Sequence, residues 1–236
     1  IALLVMSCFV AGTFAKVPVM GNKIRLTDNW EFLRQDVGNI WELVRPIKKG
    51  QPEEQPIWTK VTLPHCFNAE DAVDPDLNYY QGPGWYKTRL KLDNPYPDGR
   101  VVLEFEGAGQ KTDVYVYMTK VGSHVGGYDS WNVDITDAVR AFLASKEAER
   151  FGGEIPLSIR CDNTRDAEMI PSDLSDFNLY GGIYRYLNLV YLPEVSVASL
   201  RIEPALDAKL KKGTLKVSGT FYNPEEVSEE LVEVTV

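Results

Sequence analysis

Alternation of apolar and polar residues runs through the chain from Lys23 onward. In GWYKTRLKLD (84–93), Tyr86, Thr88, Leu90 and Leu92 fall on one side and Lys87, Arg89 and Lys91 on the other. That is the period of two expected of a half-buried strand. RVVLEFEGAG (100–109) sets Val101, Leu103 and Phe105 opposite Val102, Glu104 and Glu106. TDVYVYMTKVG (112–122) sets Val114, Val116 and Met118 against Tyr115 and Tyr117, and EIPLSIRCDN (154–163) adds a strand ending at Asp162-Asn163. KIRLT, WEFLRQD and WTKVTLP are earlier candidates. Asn94-Pro95, Pro97-Asp98-Gly99, Gly107-Ala108-Gly109 and Gly126-Gly127 supply turns between strands. One segment alone predicts a helix: DITDAVRAFLAS (134–145), with Thr136 or Asp137 as cap and Ala138, Val139, Phe142 and Leu143 at helical spacing. Many short strands and no regular strand–helix alternation predict an all-β sandwich or jelly roll.

SDFNLYGGIYRYLNLVYLP (175–193) joins two unlike halves. Ile183, Tyr184, Tyr186, Leu187, Leu189, Val190, Tyr191 and Leu192 read as a buried strand, yet an acidic residue and a Gly-Gly pair lead straight into it. A domain boundary is predicted near Tyr191–Glu194. Beyond it VASLRIEPAL, GTLKVSGTFYN and EELVEVTV alternate again. A few strands with one apolar face cannot close a sandwich, and the last ends at Val236 on Leu231, Val232, Val234 and Val236. An uncovered apolar edge of that kind invites aggregation, so the chain is expected to be a fragment of a larger protein.

Residues 1–15, IALLVMSCFVAGTFA, are apolar and too short to span a bilayer as a helix. They read as the core of a signal peptide cleaved after Ala15, with 16–22 as linker. Val5-Met6-Ser7-Cys8 is a lipobox-like alternative in which Cys8 would carry a lipid anchor, and a buried N-terminal strand is the bland reading. Export is expected, to the periplasm or outer membrane or as a secreted protein.

Charge narrows the partners. With 25 Lys+Arg against 34 Asp+Glu and a formal charge of −9, the chain lacks the clustered cations of a nucleic-acid surface. It remains compatible with a neutral ligand such as a sugar. No glycine-rich phosphate loop occurs. His65 and His124 lack ligand spacing, so neither metal nor cofactor is predicted. Cys66 and Cys161 lie far apart in sequence and carry no framework signal, which leaves a bridge between them open.

Four motifs then occur in order: LPHCFNAED (63–71), YYQGPGWYKTRL (79–90), VGSHVGGYDSWNVDIT (121–136) and DFNLYGGIYRYLNLVYLP (176–193). Together they resemble the N-terminal sugar-binding domain of glycoside hydrolase family 2, which includes β-galactosidases, β-glucuronidases and β-mannosidases. The resemblance covers 23–193 and implies a jelly-roll β-sandwich. It also makes 194–236 the start of an immunoglobulin-like sandwich. The wording of the motifs looks most like β-galactosidases. In one place the chain departs from the family: Met118-Thr119-Lys120 stands where Asn-Gly is frequent, which argues against a type I′ turn there.

In this family the aspartate ahead of the GGIYR strand accepts hydrogen bonds from hydroxyls of the sugar in the −1 subsite. The resemblance carries that role to Asp176, and an ionised carboxylate is an acceptor-only group suited to it. A solvated loop carboxylate is the bland alternative. Arg185 is expected to be a structural ion-pair partner, Asp162-Asn163 a strand-ending turn and His65 a packed histidine. Trp85, Trp131 and Tyr80 are expected in the core rather than on a sugar.

The function implied is the N-terminal, non-catalytic part of a retaining exo-β-glycosidase, a β-galactosidase by the wording of the motifs. It would pack on a catalytic barrel outside this chain. No catalytic residue is assigned in the chain, and alone it should be inactive. A stand-alone carbohydrate-binding module and a purely structural domain are the rivals. A carbohydrate is the expected partner, without nucleic acid or a transmembrane span, and a homo-oligomer is one option.

Overall fold

The computed structural model describes residues 23–46, 57–71, 73–171 and 178–222. The signal-like region with Cys8, and the final segment EELVEVTV, lie outside the described residues. The chain forms β1 (Lys23–Arg25), β2 (Trp30–Leu33), α1 (Trp41–Val44), β3 (Thr59–Val61), β4 (His65–Cys66) and β5 (Pro83–Leu90). β6 (Arg100–Phe105), β7 (Lys111–Val116), β8 (Thr119–Val125), β9 (Trp131–Asp134), α2 (Thr136–Leu143) and α3 (Glu147–Arg150) follow. The last strands are β10 (Ile155–Asp162), β11 (Gly182–Ile183), β12 (Leu187–Leu192), β13 (Ser196–Leu206) and β14 (Gly213–Tyr222).

Two antiparallel sheets enclose one core. One has the order β1-β12-β6-β9 and the other β3-β2-β5-β10-β7-β8. Sequence neighbours are therefore often not sheet neighbours, as in a jelly roll. Leu103 stands between Leu189 and Val133 in the smaller sheet, and Ile159 between Tyr86 and Val114 in the larger. Leu103, Phe105, Ile159 and Leu187 are fully buried, each favouring the fold by about 1.5–3 kcal/mol relative to exposure.

The alternation holds along β5, where Tyr86 and Leu90 are buried and Arg89 is exposed. It fails at Trp85, which points the other way and is also buried. There its ring packs on Tyr115 and its Nε1 donates to Asp36 Oδ1 at 3.1 Å, so the segment after β2 covers the outer face. The β7–β8 hairpin turns on Tyr117-Met118, with Val116 opposite Thr119. Tyr117 has φ 52° and Met118 does not share the positive φ. The turn is thus not type I′, which needs both.

Three expectations need correction. The capping of α2 comes from neither Thr136 nor Asp137: the Asp134 carboxylate accepts the Thr136 N–H at 2.9 Å. Asp134 precedes the helix, and its short side chain reaches the first free N–H. Leu143 is exposed, because the buried stripe of α2 is carried by Val139 and Phe142. The strand expected over 183–192 is two strands. β11 pairs with β4, whereas β12 enters the smaller sheet, and Tyr184, Arg185 and Tyr186 connect them.

β13 and β14 pair only with each other among the described strands. Leu200, Ile202, Leu215, Val217 and Phe221 stay exposed on this hairpin.

Candidate functional site

The peptide of Leu179 is held from three directions. Its carbonyl accepts hydrogen bonds from Tyr79 Oη at 2.5 Å, Asn68 Nδ2 at 2.9 Å and Asn163 Nδ2 at 2.9 Å. Each asparagine also uses its oxygen: Asn68 Oδ1 accepts the Gly181 N–H at 2.9 Å, and Asn163 Oδ1 accepts the Gly82 N–H at 2.8 Å. Asn163 Nδ2 additionally reaches the Tyr80 carbonyl at 2.9 Å. Both asparagines and Leu179 are fully buried. An amide offers donors and an acceptor in one rigid plane, so it can tie loops from different parts of the chain. Burial pushes the Tyr79 phenol up to about 12, which keeps it a neutral donor at physiological pH.

The next residues are fixed as firmly. Phe67 donates its N–H to the Gly181 carbonyl at 3.0 Å, Gly109 donates to the Gly182 carbonyl at 3.0 Å, and Gln110 Nε2 donates to the Tyr180 carbonyl at 3.3 Å. A Cβ on Gly181 would lie 2.1 Å from the Phe67 ring. Gly182 has φ 116° and would bring a Cβ within 2.5 Å of the His65 carbonyl oxygen, so only glycine fits. Tyr184 Oη then donates to the Gly127 carbonyl at 2.6 Å. Burial raises the Tyr184 phenol, and that hydroxyl too stays neutral.

Around this anchor the first two motifs interlock. The buried Asp71 accepts the Tyr80 N–H at 3.0 Å and Arg34 Nη1 at 3.1 Å, and Arg34 also reaches the Phe67 carbonyl at 3.2 Å. Phe32, His65, Phe67 and Tyr86 form an aromatic cluster beneath.

Asp176, the sugar-contact candidate, lies outside the described residues. His65 is packed as expected, with Nδ1 2.8 Å from Tyr86 Oη, and burial lowers its pKa. Trp131 stacks between Phe105 and His124 at centroid distances of 4.1 and 4.7 Å. Tyr80 packs edge-on against Phe67, and Trp85 is in the wall described above. Asp162 makes the expected turn, accepting the Thr164 N–H at 2.8 Å and pairing with Arg160 at 3.0 Å. Asn163 does more than end a strand: it belongs to the clamp on Leu179. Arg185 is exposed and forms no ion pair among the described residues; its methylenes lie over Gly107. Cys66 and Cys161 are both free.

Sequence reading missed Asn68, Tyr79 and Gln110 as anchors. The signal available was Asn68 itself, an asparagine between the apolar Phe67 and Ala69 in FNAED.

The family model for the sugar binding domain of glycosyl hydrolases family 2 matches residues 37–193. The chain belongs to glycosyl hydrolase family 2. Among solved structures similar to this chain, a β-glucuronidase of Parabacteroides merdae is 72% identical with a TM-score of 0.83, covering 87% of this chain and 26% of that one. β-Glucuronidase 3 of Bacteroides uniformis is 63% identical with a TM-score of 0.82, covering 86% of this chain and 26% of that one. A curated putative β-glucuronidase of Formosa agariphila is 32% identical over 180 residues, which is 76% of this chain and 19% of that protein. A β-galactosidase of Thermoanaerobacter pseudethanolicus is 26% identical over 171 residues, 72% of this chain and 21% of that protein. The chain thus spans about a fifth of these curated relatives and about a quarter of these solved structures.

Proposed function

We propose that this chain is the N-terminal, non-catalytic part of a retaining exo-β-glycosidase, and that the full protein is a β-glucuronidase. The observation that carries the substrate is the 72% identity to the P. merdae β-glucuronidase across 87% of the chain. The motif wording favoured β-galactosidase instead, but the β-galactosidase relative named above is only 26% identical. The retaining route uses two carboxyl groups about 5–5.5 Å apart. They would come from a barrel outside this chain, as would the groups that recognise the substrate carboxylate.

Within this proposal Asp176 accepts hydrogen bonds from hydroxyls of the sugar in the −1 subsite. The fixed peptides from Leu179 to Tyr184 support that role, because a ligand-binding loop needs a rigid base. Export remains part of the proposal, through residues 1–15 as a cleaved signal or through lipidation at Cys8.

The test is turnover by the full-length protein of p-nitrophenyl β-D-glucuronide against p-nitrophenyl β-D-galactoside. A kcat/KM ratio favouring glucuronide by more than tenfold is expected; the reverse ratio returns the protein to the galactosidases. Asp176→Ala should then cost about 1.5–3 kcal/mol of transition-state stabilisation, as for hydrogen bonds to charged groups. Unchanged turnover would remove Asp176 from the site. Glycan binding by the isolated chain, with no barrel encoded beyond it, would favour the carbohydrate-binding module.

A further inference from the structure

Asp98-Gly99 is the one Asp-Gly dipeptide in the chain, which contains no Asn-Gly. It ends a β-turn, Tyr96-Pro97-Asp98-Gly99, closed by the Gly99 N–H donating to the Tyr96 carbonyl at 3.1 Å. Pro-Asp-Gly is turn chemistry, and packing leaves no choice at its last position. A Cβ on Gly99 would lie 2.4 Å from the Tyr96 Cβ and 2.5 Å from the Leu192 carbonyl oxygen. The fold therefore places a residue with no side chain directly after an aspartate exposed to water.

We propose that Asp98 is a site of spontaneous isoaspartate formation, and that Arg140 sets its rate. The Gly99 nitrogen loses its proton and bonds to the Asp98 side-chain carboxyl carbon, a carboxyl oxygen leaves as water, and a succinimide ring closes. With no Cβ on Gly99, nothing shields the attacking nitrogen. Water then breaks one of the two ring bonds between nitrogen and carbonyl carbon. Breaking the side-chain bond restores aspartate. Breaking the main-chain bond routes the backbone through the side chain and leaves the former main-chain carbonyl as a carboxylate. The water released in the first step is taken up in the second, so no further reactant is needed.

Ring closure requires rotation about the Asp98 Cα–C bond, which swings the Asp98 carbonyl oxygen and the Gly99 nitrogen together. Both are held. Arg140 Nη2 donates to the Asp98 carbonyl at 2.9 Å and reaches the Gly99 carbonyl at 3.4 Å, while the Tyr96 carbonyl holds the Gly99 N–H. One guanidinium thus spans two consecutive peptides. Its base is fixed, because α2 is anchored in the core by Val139 and Phe142. Gly99 leads directly into Arg100 at the start of β6, so a backbone lengthened there would displace that strand's entry.

The experiment incubates the full-length protein and its Arg140→Ala and Arg140→Lys variants at neutral pH. Isoaspartate at residue 98 is read over weeks by peptide mass spectrometry with electron-transfer fragmentation, which tells the two linkages apart. In native protein Arg140→Ala should accumulate it about three- to tenfold faster than the parent, the range of one lost hydrogen bond. Arg140→Lys, which keeps a donor, should fall between them. In urea, which releases the turn, all three should react at one rate, faster than the native parent. Equal native rates in the parent and Arg140→Ala would overturn the role of Arg140. No isoaspartate at residue 98 even in urea would overturn the site itself. An Arg140→Ala protein that does not fold would show the same rate with and without urea. Arg140→Lys against the parent then decides the matter, and equal rates for that pair would overturn the role of Arg140.

Discussion

The Tyr184 hydroxyl sits 2.6 Å from the Gly127 carbonyl oxygen, and a Cβ on Gly127 would lie 2.3 Å from that same hydroxyl. The Gly126-Gly127 turn and the GGIY segment are thus in backbone-to-side-chain contact across 57 residues of sequence. Gln110, fully buried, closes the third side, with its amide atoms 2.7 and 2.8 Å from the position of that Cβ. Gln110 is enclosed in the core, and the Tyr184 hydroxyl is tied to the Gly127 carbonyl itself. Gly127→Ala should therefore destabilise the domain by about 1–3 kcal/mol, the usual cost of overpacking. Tyr184→Phe, which loses only the hydrogen bond, should cost about 1 kcal/mol. Urea unfolding midpoints of the two variants measure the difference, and equal shifts would contradict it.

His65 gives a pH dependence of defined sign. Its folded-state pKa is depressed by burial, so the unfolded chain binds the proton more readily. Stability from neutral His65 is therefore present above the unfolded value, about 6.5. It is lost as pH falls from there through the lower folded value, because the unfolded state is then the more protonated one. His65→Phe should flatten that part of the curve while keeping the packing on Phe32 and Tyr86. Urea midpoints between pH 7.5 and 5 test this. A parent protein whose stability rises on acidification through that window would refute it.

What the sequence shows and what it hides follow from the range of each signal. Strand alternation depends on neighbours two residues apart, so β5, β6, β7 and β10 were legible. The split of β11 from β12 was not, because the residues on both sides are equally apolar. What separates them is that 182–183 pairs with His65-Cys66, more than a hundred residues earlier. The clamp on Leu179 was hidden for the same reason. Its donors, at 68, 79 and 163, each look like ordinary turn or aromatic residues within their own segment. The motif resemblance identified the family because it compares all four segments at once. It said less about the sugar, since residues that separate glucuronate from galactose need not lie in this domain.

The two described cysteines should differ in reactivity. Cys161 is fully buried and its thiol is pushed up to about 12, with Thr112 Oγ1 3.9 Å away. Cys66 is half-buried and its thiol is raised, first by burial. Thiolate is the reactive form, so at pH 8 iodoacetamide should label Cys66 slowly and leave Cys161 untouched until urea unfolds the domain. Peptide mass spectrometry reads the two sites separately. Labelling of native Cys161 at the rate of Cys66 would contradict its burial.

Arg100 joins the hairpin β13–β14 to the jelly roll. Its guanidinium is 3.6 Å from the centre of the Tyr222 ring, while Nη2 donates to Ser196 Oγ at 2.8 Å and Nη1 pairs with Asp134 at 3.2 Å. One planar cation thus stacks on β14, bonds the start of β13 and pairs with the residue that caps α2. Partly desolvated stacking contributes about 1–2 kcal/mol, and lysine cannot reproduce the planar fork. Arg100→Lys should therefore loosen the hairpin nearly as much as Arg100→Ala. Hydrogen exchange resolves the effect by element. Amides of β13 should exchange faster in both variants by about tenfold or more, as expected for the loss of about 1.4 kcal/mol of local stability. Amides of β6 and β12, buried in the sandwich, should keep their rates. Unchanged exchange in β13 would mean that the hairpin is held by contacts other than Arg100.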